Sequence, residues 1–192
     1  MRVVFLGPPG AGKGTQAQFF SQKYNVPQLS TGEILREVIR RETEVGKKAK
    51  AMIESGLLVS DDIVNQIVLD RLGEDDCMRG FILDGYPRTV DQARVLQKIL
   101  QSKNMQLDVV IEFVVDKDVL IERIKNRVQK AASLGERIRS DDDPDVFSKR
   151  LIEYNKKTVP LSKFYLEQGL LRTVDGMADV AEVSNTIEKI FK

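Results

Sequence analysis

The sequence predicts an α/β fold in which a parallel sheet of five strands lies between helices. Three observations carry that prediction: short apolar runs alternate with longer amphipathic stretches, the run from Val109 to Val115 is nearly continuous in apolar residues, and a glycine-rich turn directly follows the first apolar run. Such alternation is the pattern of parallel strands joined by crossover helices, and a strand covered on both faces reads as an unbroken apolar run.

The elements follow in order. Strands are predicted at Arg2 to Leu6, Gln28 to Ser30, Gly80 to Asp84, Val109 to Val115 and Leu170 to Val174. Between Ser30 and Val59, two helical stretches (Gly32 to Arg41 and Glu44 to Glu54) follow a strand too short for a full repeat, which suggests an inserted helical flap ended by Gly56. Asp61 or Asp62 is expected to cap a helix running to Leu72, and Thr89 to cap one from Val90 to about Lys103. From Lys130 to Asp143 the chain turns mostly polar and reads as a mobile loop between two helices. Pro144 fits the first turn of the next helix, which should kink or break near Pro160.

Composition bounds the function. A chain of 192 residues fits one compact domain with small insertions. Thirty basic residues against twenty-nine acidic ones give a net charge of +1, so no global field recruits nucleic acid or an anionic membrane, and any anion site must be local. The single cysteine, Cys77, excludes an intramolecular disulfide framework and suits a reduced interior. The apolar start Val3-Val4-Phe5-Leu6 is cut off by Gly7-Pro8-Pro9, too short for a signal peptide or a membrane span, so the expected location is the cytoplasm. The chain has no histidine, which removes the commonest general base, the Ser/His/Asp triad and most zinc sites.

The strongest local signal is Gly7-Pro8-Pro9-Gly10-Ala11-Gly12-Lys13-Gly14-Thr15, placed between the first strand and a helix. Backbone amides of Gly10, Ala11, Gly12 and Gly14 can wrap phosphate oxygens, the helix start turns its positive dipole end toward them, and Lys13 adds a point charge. An ordinary glycine-rich turn is the plainer alternative, but strand before and helix after favour a P-loop and hence a P-loop NTPase-type three-layer α/β/α architecture. Gly14 stands where the usual pattern has Ser or Thr, leaving Thr15 as the nearest hydroxyl to a metal.

This variant loop, together with Ser30-Thr31-Gly32-Glu33-Ile34-Leu35-Arg36 and Phe81-Ile82-Leu83-Asp84-Gly85-Tyr86-Pro87-Arg88-Thr89-Val90-Asp91-Gln92, resembles the adenylate kinase family over essentially the whole chain. The resemblance implies reversible phosphoryl transfer from Mg·ATP to AMP, giving two ADP. It assigns AMP to Thr31, Arg36, Arg88 and Gln92, helped by backbone groups of Leu57, Leu58, Val59, Gly85, Tyr86 and Pro87. Arg123 and Arg127 match arginines on the ATP side, Arg139 and Arg150 match residues touching AMP and the transferring phosphoryl group, and Ala178 matches the turn at the ATP adenine. The implied catalytic set is Lys13, Arg88, Arg123, Arg139 and Arg150. Asp141 and Asp142 match acidic residues at the base of a lid. The implied organisation is a core of 1–29, 60–125 and 143–192, an NMP-binding flap at 30–59 and a short lid at 126–142, with no structural zinc and a monomeric state.

Chemistry agrees with these assignments. A phosphate dianion suits arginine forks, and Gln92, one helical turn beyond Arg88, has the paired donor and acceptor that an adenine edge requires. Asp84 ends a strand beside the loop, where a carboxylate would face hydrated Mg²⁺ through water, although a strand-end cap is the plainer role. Taken singly, each of these side chains would more often be solvated surface. Transfer to a phosphate oxygen, largely ionised near neutrality, needs aligned charge and no general base.

Three rival readings share part of this pattern. A pyrimidine monophosphate kinase shares the loop and the arginines, but Thr89 and Gln92 favour AMP, since pyrimidine relatives commonly carry asparagines in this segment. A guanine-reading switch would need an aspartate that Asn155-Lys156-Lys157-Thr158 lacks. A non-catalytic nucleotide-binding scaffold would not need the full arginine set.

Overall fold

The computed structural model describes residues 1–42 and 44–191; Thr43 and Lys192, inside the ranges expected for flap and core, lie outside the described residues. Five strands form: β1 (Arg2–Leu6), β2 (Gln28–Ser30), β3 (Phe81–Asp84), β4 (Val109–Val114) and β5 (Leu171–Asp175). All four pairings are parallel and the strand order is β2-β3-β1-β4-β5. The chain moves from β1 to β2 on one side, then crosses from β3 over to β4 on the other. That reversal beside β1 is where open α/β sheets bind ligands, at the carboxyl ends of the strands.

Side-chain alternation splits the interior into two cores. Val4, Leu6, Leu83 and Val110 face one, closed by α2 (Thr31–Arg40), α3 (Glu44–Glu54), α4 (Asp61–Arg71), α5 (Val90–Ser102) and α8 (Pro160–Leu166). Val3, Phe5, Ile82, Ile111 and Phe113 face the other, closed by α1 (Lys13–Tyr24), α6 (Lys117–Ser133), α7 (Pro144–Glu153) and α9 (Val180–Phe191). The register puts Val3 opposite both Ile82 and Val109, so neighbouring strands agree on which residues turn which way. The three-layer α/β/α arrangement is therefore the one expected.

Several local expectations also hold. Thr89 caps α5 by accepting from Gln92 N at 3.1 Å, Pro144 sits in the first turn of α7, and Gly56 follows the end of α3. Others need correction. Neither Asp61 nor Asp62 caps α4: Ser60 holds the cap position, and Asp61 is the first helical residue with its carboxylate turned toward the start of α5. The helix α6 continues to Ser133, three residues past the expected break at Lys130, because Lys130, Ala131 and Ala132 are strong helix formers even without an apolar stripe. Gly135, at φ 65, follows its end, and a 3-10 turn covers Ser140–Asp142. The break at Pro160 is realised as a π turn over Tyr154–Thr158, after which Pro160 opens α8. Strand ends differ from expectation by one residue, at Phe81, Val114 and at both ends of β5.

Leu83 is fully buried on the central face of β3, whereas Leu134 is 59% exposed. Leu83→Ala should lower unfolding free energy by about 2–5 kcal/mol, and Leu134→Ala should change it by no more than about 0.5 kcal/mol. Urea titration followed by far-UV circular dichroism measures both; equal losses would contradict this division of the interior.

Candidate active site

Four of the segments singled out in the sequence begin where a strand ends. The glycine-rich loop leaves β1 at Leu6, Thr31 follows β2, Gly85 follows β3, and the turn with Gly176 and Ala178 follows β5. Together they line one cavity of about 720 Å³. All the predicted site residues border it except Tyr86, whose side chain is fully buried. Tyr86 instead works from beneath: its hydroxyl donates toward Asn65 Oδ1 (2.7 Å) and the Gln92 carbonyl (3.1 Å), pinning the segment after β3.

On one side lies the loop. Gly12 occupies the N-cap of α1 with φ 92, a left-handed conformation that favours glycine, and among the described residues no side-chain cap hydrogen bond closes this helix start. Lys13 is folded inward, its Nζ donating to the carbonyls of Gly7 (2.7 Å) and Pro8 (2.8 Å). Burial lowers its pKa to about 8, against an opposing pull from Asp84. Asp84, at the end of β3, accepts from Gln28 Nε2 at 3.4 Å. A Cβ on Gly14 would come within 3.4 Å of its Oδ2, so the carboxylate lies directly against the loop.

The same cavity is lined by a group of guanidinium ions. Arg88 Nε donates to the Gly85 carbonyl at 2.7 Å, and the Arg88 carbonyl accepts from Thr158 Oγ1 at 2.9 Å. Thr31 Oγ1 donates to the same Gly85 carbonyl at 2.9 Å, joining the start of α2 to the end of β3. Burial first, then the nearby Arg150, lowers the Arg88 pKa to about 10. Arg36 and Arg150 are also lowered, again mainly by burial, with Arg139 the next largest cause for Arg36. Cations made uneasy by burial and by one another form a site complementary to concentrated negative charge.

The remaining arginines come from α6, α7 and the short connection between them. Arg123 and Arg139 line the cavity. Arg127 Nε donates to Asp142 Oδ2 at 2.8 Å, and Arg150 Nη1 pairs with Asp141 Oδ2 at 2.7 Å. Both aspartates are buried. Gln92 lines the cavity too, with Oε1 accepting from Arg88 N and Nε2 donating to Asp61 Oδ1, each at 2.7 Å. Sequence reasoning did not single out Thr158 or Asp61 for this site; their partners lie 70 and 31 residues away, and no local pattern reveals such pairing.

A phosphate loop and an opposed set of arginines in one cavity define a nucleoside monophosphate kinase, an enzyme that must hold two phosphorylated ligands end to end. Comparison narrows the class. A family model described as adenylate kinase matches residues 5–170. The chain is 66% identical to an adenylate kinase of Bartonella bacilliformis and 65% identical to one of Bartonella henselae, over 192 residues and 100% of both chains in each case. It is 56% identical over 191 residues to an adenylate kinase of Sinorhizobium medicae, again covering 100% of both. The chain thus belongs to the adenylate kinase family.

The lowered pKa of Lys13 gives a direct test of the loop. A bound polyphosphate restores the charged form, so ATP binding above pH 8 should take up close to one proton, and affinity should fall as pH rises from about 8 toward the ordinary lysine value. Calorimetry at pH 9 in buffers of different ionisation enthalpy should show this uptake, and Lys13→Met should lose it; uptake retained in the variant would place the titrating group elsewhere.

Proposed function

We propose that this cavity carries out reversible phosphoryl transfer between Mg·ATP and AMP, giving two ADP, with ATP on the loop side and AMP beneath α2 and α3. The observation that carries this reading is the convergence in one cavity of Lys13 and its loop with Arg36, Arg88 and Arg150. Family membership supplies the reaction and its small-molecule substrates, and it is the reason to prefer AMP over CMP or UMP as acceptor.

In this reading, amides of Gly10 to Thr15 and Lys13 hold the ATP phosphates, Arg123 and Arg127 join them from α6, and the backbone at Ala178 meets the adenine. Arg36 and Arg88 clamp the AMP phosphate, Thr31 and the backbone of residues 57–59 and 85–88 shape its pocket, and Gln92 meets the base. Arg139 and Arg150 neutralise charge as it develops on the phosphoryl group. Asp84, whose carboxylate lies against the loop, would hold Mg²⁺ through water, and the ion would supply positive charge to offset that of the phosphates. No side chain need remove a proton, because the AMP phosphate is largely ionised near neutrality.

Water competes with AMP for the phosphoryl group, so residues 30–59 and 126–142 are read as a flap and a lid that close over the nucleotides. A bisubstrate analogue joining the two adenosines should then lower the radius of gyration measured by X-ray scattering; an unchanged value on saturation would remove the closure step. We further read the protein as a cytoplasmic monomer without nucleic-acid or membrane partners. Net charge of +1 leaves no global field to recruit nucleic acid or an anionic membrane, and among the described residues no helix is long and apolar enough to cross a membrane.

The assay is ADP formation from Mg·ATP with AMP, CMP, UMP and GMP offered separately. AMP should be strongly preferred, and Arg88→Ala should lower kcat/KM for AMP by about 10²–10³-fold through the lost phosphate clamp. Preference for CMP or UMP would keep the mechanism and overturn the acceptor, while no transfer to any acceptor would leave only a binding module.

A further inference from the structure

Gln92 is buried at 1% exposure, and its amide is held from two sides by groups that cannot change roles. The Arg88 backbone N–H only donates, and it reaches Oε1 at 2.7 Å. The Asp61 carboxylate only accepts when ionised, and its Oδ1 takes an Nε2 hydrogen at 2.7 Å. Asp61 is itself steadied, since Thr89 Oγ1 donates to its Oδ2 at 3.3 Å. Turning the amide over would set Oε1 against the carboxylate and Nε2 against an N–H, losing two bonds and placing like against like. The amide therefore has one orientation that its surroundings satisfy.

An amide nitrogen has two hydrogens and an amide oxygen two lone pairs. With one of each engaged, Gln92 retains one donor and one acceptor for the cavity it lines. An adenine edge offers an amino donor at position 6 and an acceptor at N1, and the retained pair complements it. Hypoxanthine and guanine offer the reverse, a carbonyl acceptor at position 6 and a donor at N1. A free glutamine side chain can turn over and serve either edge, whereas a locked one cannot.

We infer that Asp61 is a specificity-determining positioning residue: by fixing the orientation of the Gln92 amide, it makes the acceptor site reject 6-oxopurine monophosphates in favour of AMP. The inference rests on the reading that Gln92 meets the acceptor base. It accounts for the placement of Asp61 at the first position of α4 without a capping bond, its carboxylate spent instead on a side chain of α5.

The test compares kcat/KM for AMP with that for inosine monophosphate in the full-length enzyme and in Asp61→Asn, Asp61→Ala and Gln92→Ala. Both substrates are measured on one preparation, so partial misfolding scales them together and leaves their ratio intact. Asp61→Asn keeps the size of the side chain while offering a donor to a turned-over amide. It should lower the AMP-to-IMP ratio by about 10-fold or more, the scale of one hydrogen bond to a charged group. The KM for ATP should stay unchanged, and Gln92→Ala should also reduce the ratio. A reduced ratio in Gln92→Ala with the parent ratio kept in both Asp61 variants would overturn the lock and leave Gln92 as the base reader. An unchanged ratio in Gln92→Ala would remove the base reading, and the lock with it.

Discussion

Lys13, Arg36, Arg88 and Arg150 share one cavity, and the repulsion and lost hydration of these four cations are what the rest of the structure has to offset. Burial is the leading cause of the lowered pKa in each. For Lys13 the sign is plain: below about 8 it is charged folded and unfolded, and the folded chain bears the full penalty. As pH rises from there to the ordinary lysine value the penalty disappears, so this group's contribution to stability improves with pH. Asp84 beside Lys13, Asp141 on Arg150 and Asp142 on Arg127 return part of what burial removes. Each is one carboxylate against several cations, so the cavity still favours added negative charge.

Holding such a set in place requires anchors that are not themselves mobile, and the sheet supplies them. The register of β1, β3 and β4 is fixed by two cores that pull alternate side chains to opposite faces, so the carboxyl ends of the strands have no freedom to slip. From those ends, backbone carbonyls take over the positioning: Gly7 and Pro8 hold Lys13, and Gly85 holds both Arg88 and Thr31. Carbonyl dipoles orient the cations without neutralising them, which is the arrangement electrostatic catalysis needs.

The legible parts of this design are those whose physics is local in sequence. Gly10, Gly12 and Lys13 announce a phosphate loop because backbone conformation and charge must coincide within a few residues, and Val109 to Val114 announces a buried strand for a similar reason. Thr89 and Pro144 show their roles at helix starts within one turn. Asp61 misleads on the same ground: an acidic residue at a helix start reads as a cap, and its real partners Thr89 and Gln92 are brought to it only by the packing of α4 on α5. The extension of α6 was hidden because residues 130–133 are helical by propensity and carry no apolar stripe to mark it. Thr158 became a partner of Arg88 only through the π turn ahead of Pro160.

The lack of histidine fits this electrostatic design more closely than a mere exclusion would suggest. Water and the AMP phosphate compete for the same phosphoryl group, but water must lose a proton to become a comparable nucleophile, whereas the phosphate monoester, with its second pKa near about 6, has already lost it. A strong base in the cavity would help water and add little for AMP. Three carboxylates beside the cations are engaged: Asp141 pairs with Arg150, Asp84 accepts from Gln28 and lies beside Lys13, and Asp142 is bound by two nitrogens of Arg127. A carboxylate oxygen held in such a bond has lone pairs turned toward its partner and not toward a water. The pairing that keeps the arginines in place therefore also occupies the carboxylates beside them, and the preference for a phosphate acceptor begins in the charge balance of the cavity.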